Sequence, residues 1–144
     1  EKQFRNFNHR SPLCNDLRQS FTQQKPSVED IISMYTMESS HILRAKYILT
    51  PTESGNTARR ISRFKPHCWV LAFTTNVEVA RFLALSYGVM SHFITNHEAD
   101  WYQTIMGLLK KKKLVKKGDQ LILTEGMIRK KIGGTDSLRI ISVD

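Results

Sequence analysis

Residues 47–66, with the sequence YILTPTESGNTARRISRFKP, pass from a strand-like apolar run into a helix-like pattern with only a short turn between them. The run at 47–49 predicts a buried strand, and residues 50–54 predict a turn. From Gly55 to Phe64 apolar residues recur at the spacing of a helix, at Ala58, Ile61 and Phe64. A buried strand that leads directly into a helix is typical of a parallel sheet covered by helices. This junction therefore constrains the fold more than any other segment.

The same alternation of strand-like and helix-like segments continues to the C-terminus. Further strands are predicted at residues 68–73, 89–94, 120–124 and 138–143. Asn76 begins a helix that stops at Gly88, and this helix carries Val79, Ala80, Leu83 and Tyr87. Another helix is predicted at residues 98–112. Because only a loop separates the last two strands, that pair should be antiparallel. The sequence predicts an α/β fold, a three-layer α/β/α sandwich around a five-stranded, mostly parallel sheet with an antiparallel last strand.

A helix before the junction begins after Ser27, which is a good N-cap, and has Glu29 and Asp30 in its first turn. Its apolar residues line one face, namely Val28, Ile31, Ile32, Tyr35, Ile42 and Leu43. A stripe of this kind ordinarily faces the core of a domain. The chain has 144 residues and 40% hydrophobic content, enough for one core. We expect a polar N-terminal segment at residues 1–26 and one α/β domain at residues 27–144.

Hydropathy and cysteine spacing exclude several classes of protein. The longest apolar runs are strand-sized, far short of the ~20 residues of a membrane span, and the polar N-terminus lacks a signal-peptide core. We therefore expect a cytoplasmic protein without a membrane partner. Cys14 and Cys68 lack the CxxC spacing and clustered histidines of a zinc site. No metal site, disulfide scaffold or bound cofactor is predicted for this domain.

Lysine and arginine outnumber the acidic residues, which gives a net charge of +9, and the excess lies in three clusters. The clusters are Arg59, Arg60, Arg63 and Lys65; residues 110–113 with Lys116 and Lys117; and residues 129–131. No RNP aromatic pattern, GXXG motif or zinc-finger spacing accompanies them, so nucleic acid is the weaker interpretation. The lysine run at 110–113 ends a predicted helix, where cations complement the helix dipole and solvate a surface.

The turn between the first strand and its helix has the chemistry of an anion site. The first amides of a helix have no partner within it and form the positive end of the helix dipole. Together with the hydroxyls of Thr52, Ser54 and Thr57 they suit a phosphate group, and Gly55 lets a ligand approach the backbone closely. The segment is not a Walker A loop, because Gly-x-x-x-x-Gly-Lys is absent. The alternative is that Thr52 or Ser54 merely caps the helix.

A second loop, EGMIRKKIGGTD at residues 125–136, should lie near the first, since both begin at the carboxyl end of a strand. Its paired glycines and three basic residues suit a flexible cover over an anion. The alternative is an ordinary charged hairpin loop. The predicted phosphate-binding residues are Thr52, Ser54, Gly55, Asn56 and Thr57, and the predicted covering residues are Arg129, Lys130, Gly133, Gly134 and Thr135.

Four segments, taken in order, resemble the C-terminal domain of pyruvate kinases over residues 27–143. They are LTPTESGNTARRISRFKP, TTNVEVARFLALSYGV, LVKKGDQLILTEG and GGTDSLRIISV. The resemblance implies a five-stranded α/β/α domain that, in many members, binds a phosphorylated effector and supplies a subunit interface. It implies that the loop at 52–57 holds the effector phosphate and that the loop at 129–135 closes over it. In the family, catalysis belongs to a (β/α)8 barrel and a small mobile domain that hold magnesium and potassium, so no catalytic residue is expected in this chain.

Three positions depart from the family pattern, and two of them, Glu53 and Met127, depart from that of its animal members. Glu53 stands where members that respond strongly to fructose 1,6-bisphosphate tend to carry lysine, Asp136 replaces an asparagine, and Met127 replaces a tryptophan. A carboxylate near a phosphate is repulsive. The expected ligand is therefore another sugar phosphate or a nucleotide monophosphate, and an idle site is the alternative.

The sequence as a whole predicts the C-terminal regulatory and assembly domain of a pyruvate kinase, a glycolytic phosphotransferase, with a homo-oligomeric contact. The alternative is a stand-alone domain of this fold that binds a protein or nucleic acid through its lysine-rich surface. A small hydrolase is the weakest interpretation. Ser54 and Thr57 have no identifiable base among the scattered histidines, which are His41, His67, His92 and His97.

Overall fold

The structure, a computed structural model, describes residues 16, 19, 20, 23, 25–95, 101–126 and 134–144. From residue 25 onward the described residues form helices and strands in alternation. The helices are α1 (Val28–Ile42), α2 (Asn56–Arg63), α3 (Val77–Leu83) and α4 (Trp101–Lys111). The strands are β1 (Tyr47–Pro51), β2 (Trp69–Thr74), β3 (Val89–Phe93), β4 (Gln120–Glu125) and β5 (Ser137–Ser142).

The strands form a five-stranded sheet in the order β3-β2-β1-β4-β5. Strand β1 lies in the middle, where Leu49 pairs in parallel with Leu71 on one side and with Leu123 on the other. Strands β2 and β3 are also parallel, whereas β4 and β5 are antiparallel. The predicted α/β fold with a mostly parallel sheet and an antiparallel last strand is confirmed. The short connection between β4 and β5 explains the exception, because it leaves no room for a crossover helix.

Helices cover both faces of the sheet, so the predicted three layers are confirmed. One face packs against α2 and α3 through a buried cluster that includes Ile48, Val70, Ala58, Ile61 and Leu83. The other face packs against α4 through a larger cluster that includes Leu49, Phe73, Leu123, Ile105 and Leu109. Neighbouring residues of β1 belong to different clusters because successive side chains of a strand point to opposite faces. A strand buried on both faces therefore reads as a continuous apolar run.

Helix α1 begins as predicted, but the side that the domain buries is not its predicted apolar face. Ser27 and Asp30 form a capping box at its start. The buried residues of the helix are Ser33, Thr36, Met37 and Ser40. Four residues of the predicted stripe are exposed and point away from the domain, and the other two, Ile32 and Leu43, are half-buried; the exposed ones are Val28, Ile31, Tyr35 and Ile42. At 100° per residue the two sets lie on opposite sides of the helix, so the domain packs on the polar side of α1.

Several predicted boundaries differ from the observed ones. Helix α2 begins at Asn56 rather than Gly55, because Gly55 takes the left-handed conformation with φ 79° and stands at the N-cap. Helix α3 ends at Leu83, so Tyr87 lies in the turns that follow it rather than on the helix. Gly88, with φ 65°, ends those turns and does not, as had been predicted, stop the helix itself. The start of the fourth predicted helix, at residues 98–100, lies outside the described residues.

Candidate functional site

The candidate site lies at the carboxyl end of β1, where the order of the sheet reverses. The chain leaves β1 toward β2 on one side, while β4 flanks β1 on the other side. In open α/β sheets, ligands bind in the crevice outside the strand ends at such a switch point. The amide of Thr52 donates to the carbonyl of Phe73 over 2.8 Å, which holds the loop against the end of β2. The loop at 52–57 and the loop that follows β4 therefore flank the crevice.

Hydrogen bonds within the loop fix its path. The Thr52 hydroxyl accepts from the Gly55 amide at 2.9 Å, and the Ser54 hydroxyl accepts from the Asn56 amide at a longer 3.4 Å. Thr52 and Thr57 are each 8% exposed. We refer to residues 52–57 as the cradle. Its hydroxyls and the first turn of α2 lie together, as predicted, and Gly55 forms the left-handed bend between them.

The start of α2 differs chemically from the starts of α1 and α3. Ser27 caps α1 and Asn76 caps α3 with their side chains, and both helices carry acids in their first turns. Helix α2 has Gly55 at its N-cap, no side-chain cap and no acid in its first turn. Gly55 stands at the N-cap position, so neither Thr52 nor Ser54 is the N-cap residue, although the Ser54 hydroxyl accepts from the amide of Asn56, the first residue of the helix. The first turn of α2, all of which the structure describes, therefore carries neither an acid nor a side-chain N-cap to balance the positive end of the helix dipole.

The loop after β4 reaches the cradle at its C-terminal end. The hydroxyls of Thr57 and Thr135 are 2.6 Å apart and share a hydrogen bond. The Glu125 carbonyl accepts from the Asp136 amide at 3.1 Å, which closes the base of the loop. An added Cβ at Gly126 would collide with the Gly134 carbonyl, so the loop ends also pack closely. The predicted proximity of the two loops is thus seen at Thr135.

Some of the predicted covering residues have no described position. Arg129, Lys130 and Gly133 lie outside the described residues, as does Met127. Gly134 and Thr135 are described, and both are half-buried. Among the predicted covering residues, the structure therefore connects Thr135 to the cradle through its hydroxyl. The assignment of phosphate binding to all of these residues stays a prediction.

The Glu53 carboxylate lies on the β2 side of the cradle. The Thr75 hydroxyl donates to Glu53 Oε2 over 3.4 Å, a long hydrogen bond at the end of β2. Thr135 approaches the cradle at Thr57 instead. The acid at position 53 therefore belongs to the cradle but has a partner in the neighbouring loop. Asp136, the other departure from the family pattern, is exposed.

The basic clusters have different environments. In α2, Arg60 forms an ion pair with Asp30, and the Arg59 guanidinium lies over the Phe82 ring at 4.9 Å. Lysines 110–113, 116 and 117 are all exposed and have no ion pair with another described residue. Their position at the end of α4 agrees with the predicted solvated helix end. The prediction that nucleic acid is not a partner stays a prediction.

The remaining reactive groups lie away from the cradle. Cys68 is buried, and burial raises the pKa of its thiol to about 11. His92 stacks on Phe73, and its pKa is lowered by burial and by the nearby Lys112. His41 and His67 pack edge to face, with ring centroids 5.7 Å apart. Within the described residues no three His, Cys, Asp or Glu side chains form a group that could hold a metal ion. None of the described helices is long and apolar enough to cross a membrane.

Two contacts at this site were not predicted. A Cβ at Gly55 would lie 3.1 Å from Leu83 Cδ2, so this glycine also permits α3 to pack against the cradle. The Asp30–Arg60 pair joins α1 to α2 across 30 residues of sequence. Neither contact has a local sequence signal, because both depend on how the helices pack.

Comparisons with known proteins agree with this architecture. The family model described as "Pyruvate kinase, alpha/beta domain" matches residues 30–141. A pyruvate kinase from Thermococcus litoralis is 36% identical over 120 residues, which are 83% of this chain and 25% of that protein. One from Clostridium acetobutylicum is 32% identical over 84% of this chain and 26% of its own length.

A solved structure shows the same fold. A crystal structure of a pyruvate kinase from Cryptosporidium parvum superposes with a TM-score of 0.73 and 30% identity, over 90% of this chain and 26% of that one. The chain thus spans about a quarter of the length of the curated relatives that it matches.

Proposed function

Because the chain belongs to the pyruvate kinase family and corresponds to its α/β domain, we propose that it is a regulatory and assembly domain. It binds a phosphorylated metabolite, either a sugar phosphate or a nucleotide monophosphate, and it supplies a contact between subunits. It acts allosterically on a cytoplasmic, glycolytic pyruvate kinase. Its own residues carry no catalytic step and hold no metal. The magnesium and potassium of pyruvate kinase catalysis belong to other domains of the parent enzyme.

The observation that carries the effector proposal is the uncapped start of α2 beside Thr135. This helix end has neither a side-chain cap nor an acid, and it lies at the switch point of the sheet. The amides of an uncapped first turn and the helix dipole favour an anion there. The hydroxyls of Thr57 and Thr135 are within hydrogen-bonding distance of each other, so one phosphate oxygen could engage both loops. Ligand binding would then order the loop after β4 against the cradle.

Calorimetry and NMR test the proposal directly. The chain is titrated with fructose 1,6-bisphosphate, ribose 5-phosphate, glucose 6-phosphate and AMP, and we expect at least one of them to bind. The amide resonances of residues 52–57 should shift with that ligand, and those of residues 110–117 should not. If sulfate and all four ligands leave the cradle amides unshifted, the domain binds no effector at this site.

The surface of α1 supports the second part of the proposal, the contact between subunits. Its outward face exposes Tyr35 and Ile42, which are 54% and 76% exposed. Its inward face buries the hydroxyls of Ser33 and Thr36 without a hydrogen-bond partner, and each such burial costs about 1–3 kcal/mol. An exposed apolar face of this kind favours a partner that covers it.

Strand β5 also exposes an apolar side chain, that of Ile140. Ile140 pairs with Ile122, so its side chain lies on the face of the sheet that α1 and α2 cover. It is 52% exposed. An isologous contact between two copies would bury α1 and the β5 edge against their equivalents. We define the α1 surface as Val28, Ile31, Tyr35, Ile42 and Ile140.

Self-association should depend on the α1 surface. We expect Ile42→Asp to raise the dissociation constant of self-association at least tenfold, because a carboxylate would be buried at the contact. Light scattering across a concentration series measures the constant. The control is Leu85→Asp, which changes a residue that is 85% exposed in the turn after α3. A strictly monomeric wild-type chain at high concentration, or an equal effect of the control, would contradict the contact.

A further inference from the structure

Helix α2 and the turns after α3 form a surface that the proposed function does not use. The Ser62 hydroxyl donates to the Tyr87 carbonyl over 2.7 Å, which holds those turns beside the helix. Along this junction, exposed cations of α2 and of the residue after its end lie next to partly exposed aromatic side chains. We define the α2–α3 seam as Arg59, Arg63, Lys65, Phe82 and Tyr87.

Each aromatic ring of the seam lies beside a cation. The Arg59 guanidinium lies over the Phe82 ring at 4.9 Å, and Lys65 Nζ lies over the Tyr87 ring at 5.8 Å. Phe82 and Tyr87 are nevertheless 48% and 43% exposed. The N–H donors of a guanidinium project in its own plane, so a ring against its flat side leaves them available for a carboxylate. The rings thus position two cations without neutralising their charge.

The seam has no acid of its own. Helix α2 contains neither aspartate nor glutamate, and the three cations of the seam form no ion pair with any residue that the structure describes. The acid of α3, Glu78, pairs with Arg81. Cations near the end of a helix complement its dipole. That role accounts for Arg63 and Lys65, but it accounts neither for Arg59 nor for the exposed rings.

We propose that the α2–α3 seam binds an acidic, extended segment of a partner protein. Arg59 and Arg63 are four residues apart on α2, a rise of about 6 Å along the helix. Alternate side chains of an extended segment point to the same side at a spacing of roughly 6.6 Å. Two alternate carboxylates of the partner therefore match the two arginines. Apolar residues between those acids contact Phe82 and Tyr87.

Single-stranded nucleic acid is the alternative occupant, because it also binds surfaces that combine cations with aromatic rings. Its bases bind such surfaces by stacking on ring faces. In the seam, Arg59 and Lys65 already cover a face of Phe82 and of Tyr87. A base that stacked there would displace the cation, whereas a carboxylate binds the cation where it lies. The geometry therefore favours an acidic protein segment.

Peptide titrations test this proposal. The probe is a synthetic peptide of about ten residues in which glutamate alternates with leucine, and the comparison peptide has the same composition in a shuffled order. Calorimetry should show that the alternating peptide binds about fivefold more tightly, since only it presents carboxylates at the spacing of the arginines. The amide resonances of residues 59–65 and 82–87 should shift with it, while those of residues 52–57 and 110–117 should not.

Variants separate the seam from the net charge of the chain. Arg59→Gln and Lys65→Gln should each weaken binding of the alternating peptide about threefold to fivefold, as expected for loss of an exposed ion pair. Phe82→Leu keeps an apolar side chain but removes the ring under Arg59, and it should also weaken binding. Lys111→Gln and Lys113→Gln are the matched controls, because each removes one exposed charge from the end of α4. The controls should change the affinity less than about twofold.

Several results would contradict the proposal. If neither peptide binds, or if both bind equally, the seam does not recognise an extended acidic segment. If Lys111→Gln weakens binding as much as Arg59→Gln, net charge alone attracts the peptide. Amide shifts confined to residues 52–57 would place the peptide on the cradle instead. If an oligonucleotide of about ten thymidines binds the seam more tightly than the alternating peptide does, the surface belongs to nucleic acid.

Discussion

Replacing Gly55 by alanine should destabilise the domain by about 2–3 kcal/mol. Gly55 has φ 79°, and a left-handed conformation costs an L residue roughly 1–2 kcal/mol. The new Cβ would lie 3.1 Å from Leu83 Cδ2 and 3.3 Å from Val79 Cγ1, both on α3. Crowding of a packed contact adds roughly 1 kcal/mol or more. Urea denaturation at neutral pH measures the change in the free energy of unfolding.

Two other glycines provide matched controls. Gly118 has φ 86° but open space around its Cβ position. Gly118→Ala should therefore lower the free energy of unfolding only by the cost of the left-handed conformation, about 1 kcal/mol. Gly107 lies within α4 with nothing near its Cβ position, so Gly107→Ala should stabilise by about 0.5–1 kcal/mol. The three variants thus separate helix propensity, backbone conformation and packing.

The comparison of Gly55 with Gly118 decides the packing argument. If Gly55→Ala is no more destabilising than Gly118→Ala, α3 moves aside without cost and does not support the cradle. If Gly55→Ala lowers the free energy of unfolding more than Gly118→Ala does, the fold requires this glycine, whatever the cradle binds. Ligand affinity of Gly55→Ala then reports whether the position of the first α2 amides also matters for binding.

The fold was predictable because each local signal agreed with the sheet that forms. Continuous apolar runs predict strands buried on both faces, and residues 48 and 49 indeed belong to two different core clusters. The distance in sequence between β4 and β5 predicts their antiparallel pairing, since a parallel pair needs a crossover. The start of α2 differs from the predicted one by a single residue at Gly55, and the end of α3 differs by several residues. Hydrophobic periodicity does not resolve such ends.

The orientation of α1 was not predictable from its periodicity. A stripe such as Tyr35 and Ile42 indicates that something apolar covers that face, but the pattern does not say whether the cover is the same chain or another. The domain instead buries Ser33, Thr36 and Ser40. These small side chains allow α1 to lie close to the sheet. The apolar stripe of α1 does not face the core of the domain, and this exposed stripe is the surface that we assign to subunit contact.

The sequence predicts which two loops form the candidate site, but it does not predict the contacts between their side chains. Sheet topology places the ends of β1 and β4 next to each other, which brings the loops together. The bond between Thr57 and Thr135 joins residues 78 positions apart, and the spacing of hydroxyls in either loop does not encode it. The absence of a cap on α2 also required the structure, because Thr52 and Ser54 both have side chains that can cap.

Ligand affinity should rise about fivefold to tenfold in Glu53→Lys and fall about tenfold or more in Thr57→Ala. A partly exposed carboxylate beside a phosphate costs about 1 kcal/mol, and each charge-assisted hydrogen bond to phosphate contributes roughly 1.5–3 kcal/mol. Glu53 lies on the β2 side of the cradle with a long bond from Thr75, so replacing it leaves the Thr57–Thr135 contact in place. Thr57→Ala removes a hydroxyl from both the cradle and that contact. Calorimetry with the four phosphorylated ligands measures both changes.

Conservative variants test the effect of the charge at position 53 and the effect of the hydroxyl at position 57 separately. Glu53→Gln removes the negative charge without adding a positive one, so its affinity should lie between those of the wild-type chain and Glu53→Lys. Thr57→Ser keeps the hydroxyl and should bind nearly as well as the wild-type chain. Higher ionic strength should narrow the difference between Glu53→Gln and Glu53→Lys, since salt screens the added charge. If Glu53→Lys binds no ligand more tightly, and Thr57→Ala binds as well as Thr57→Ser, the phosphate does not occupy the cradle, and the domain acts through its subunit contact alone.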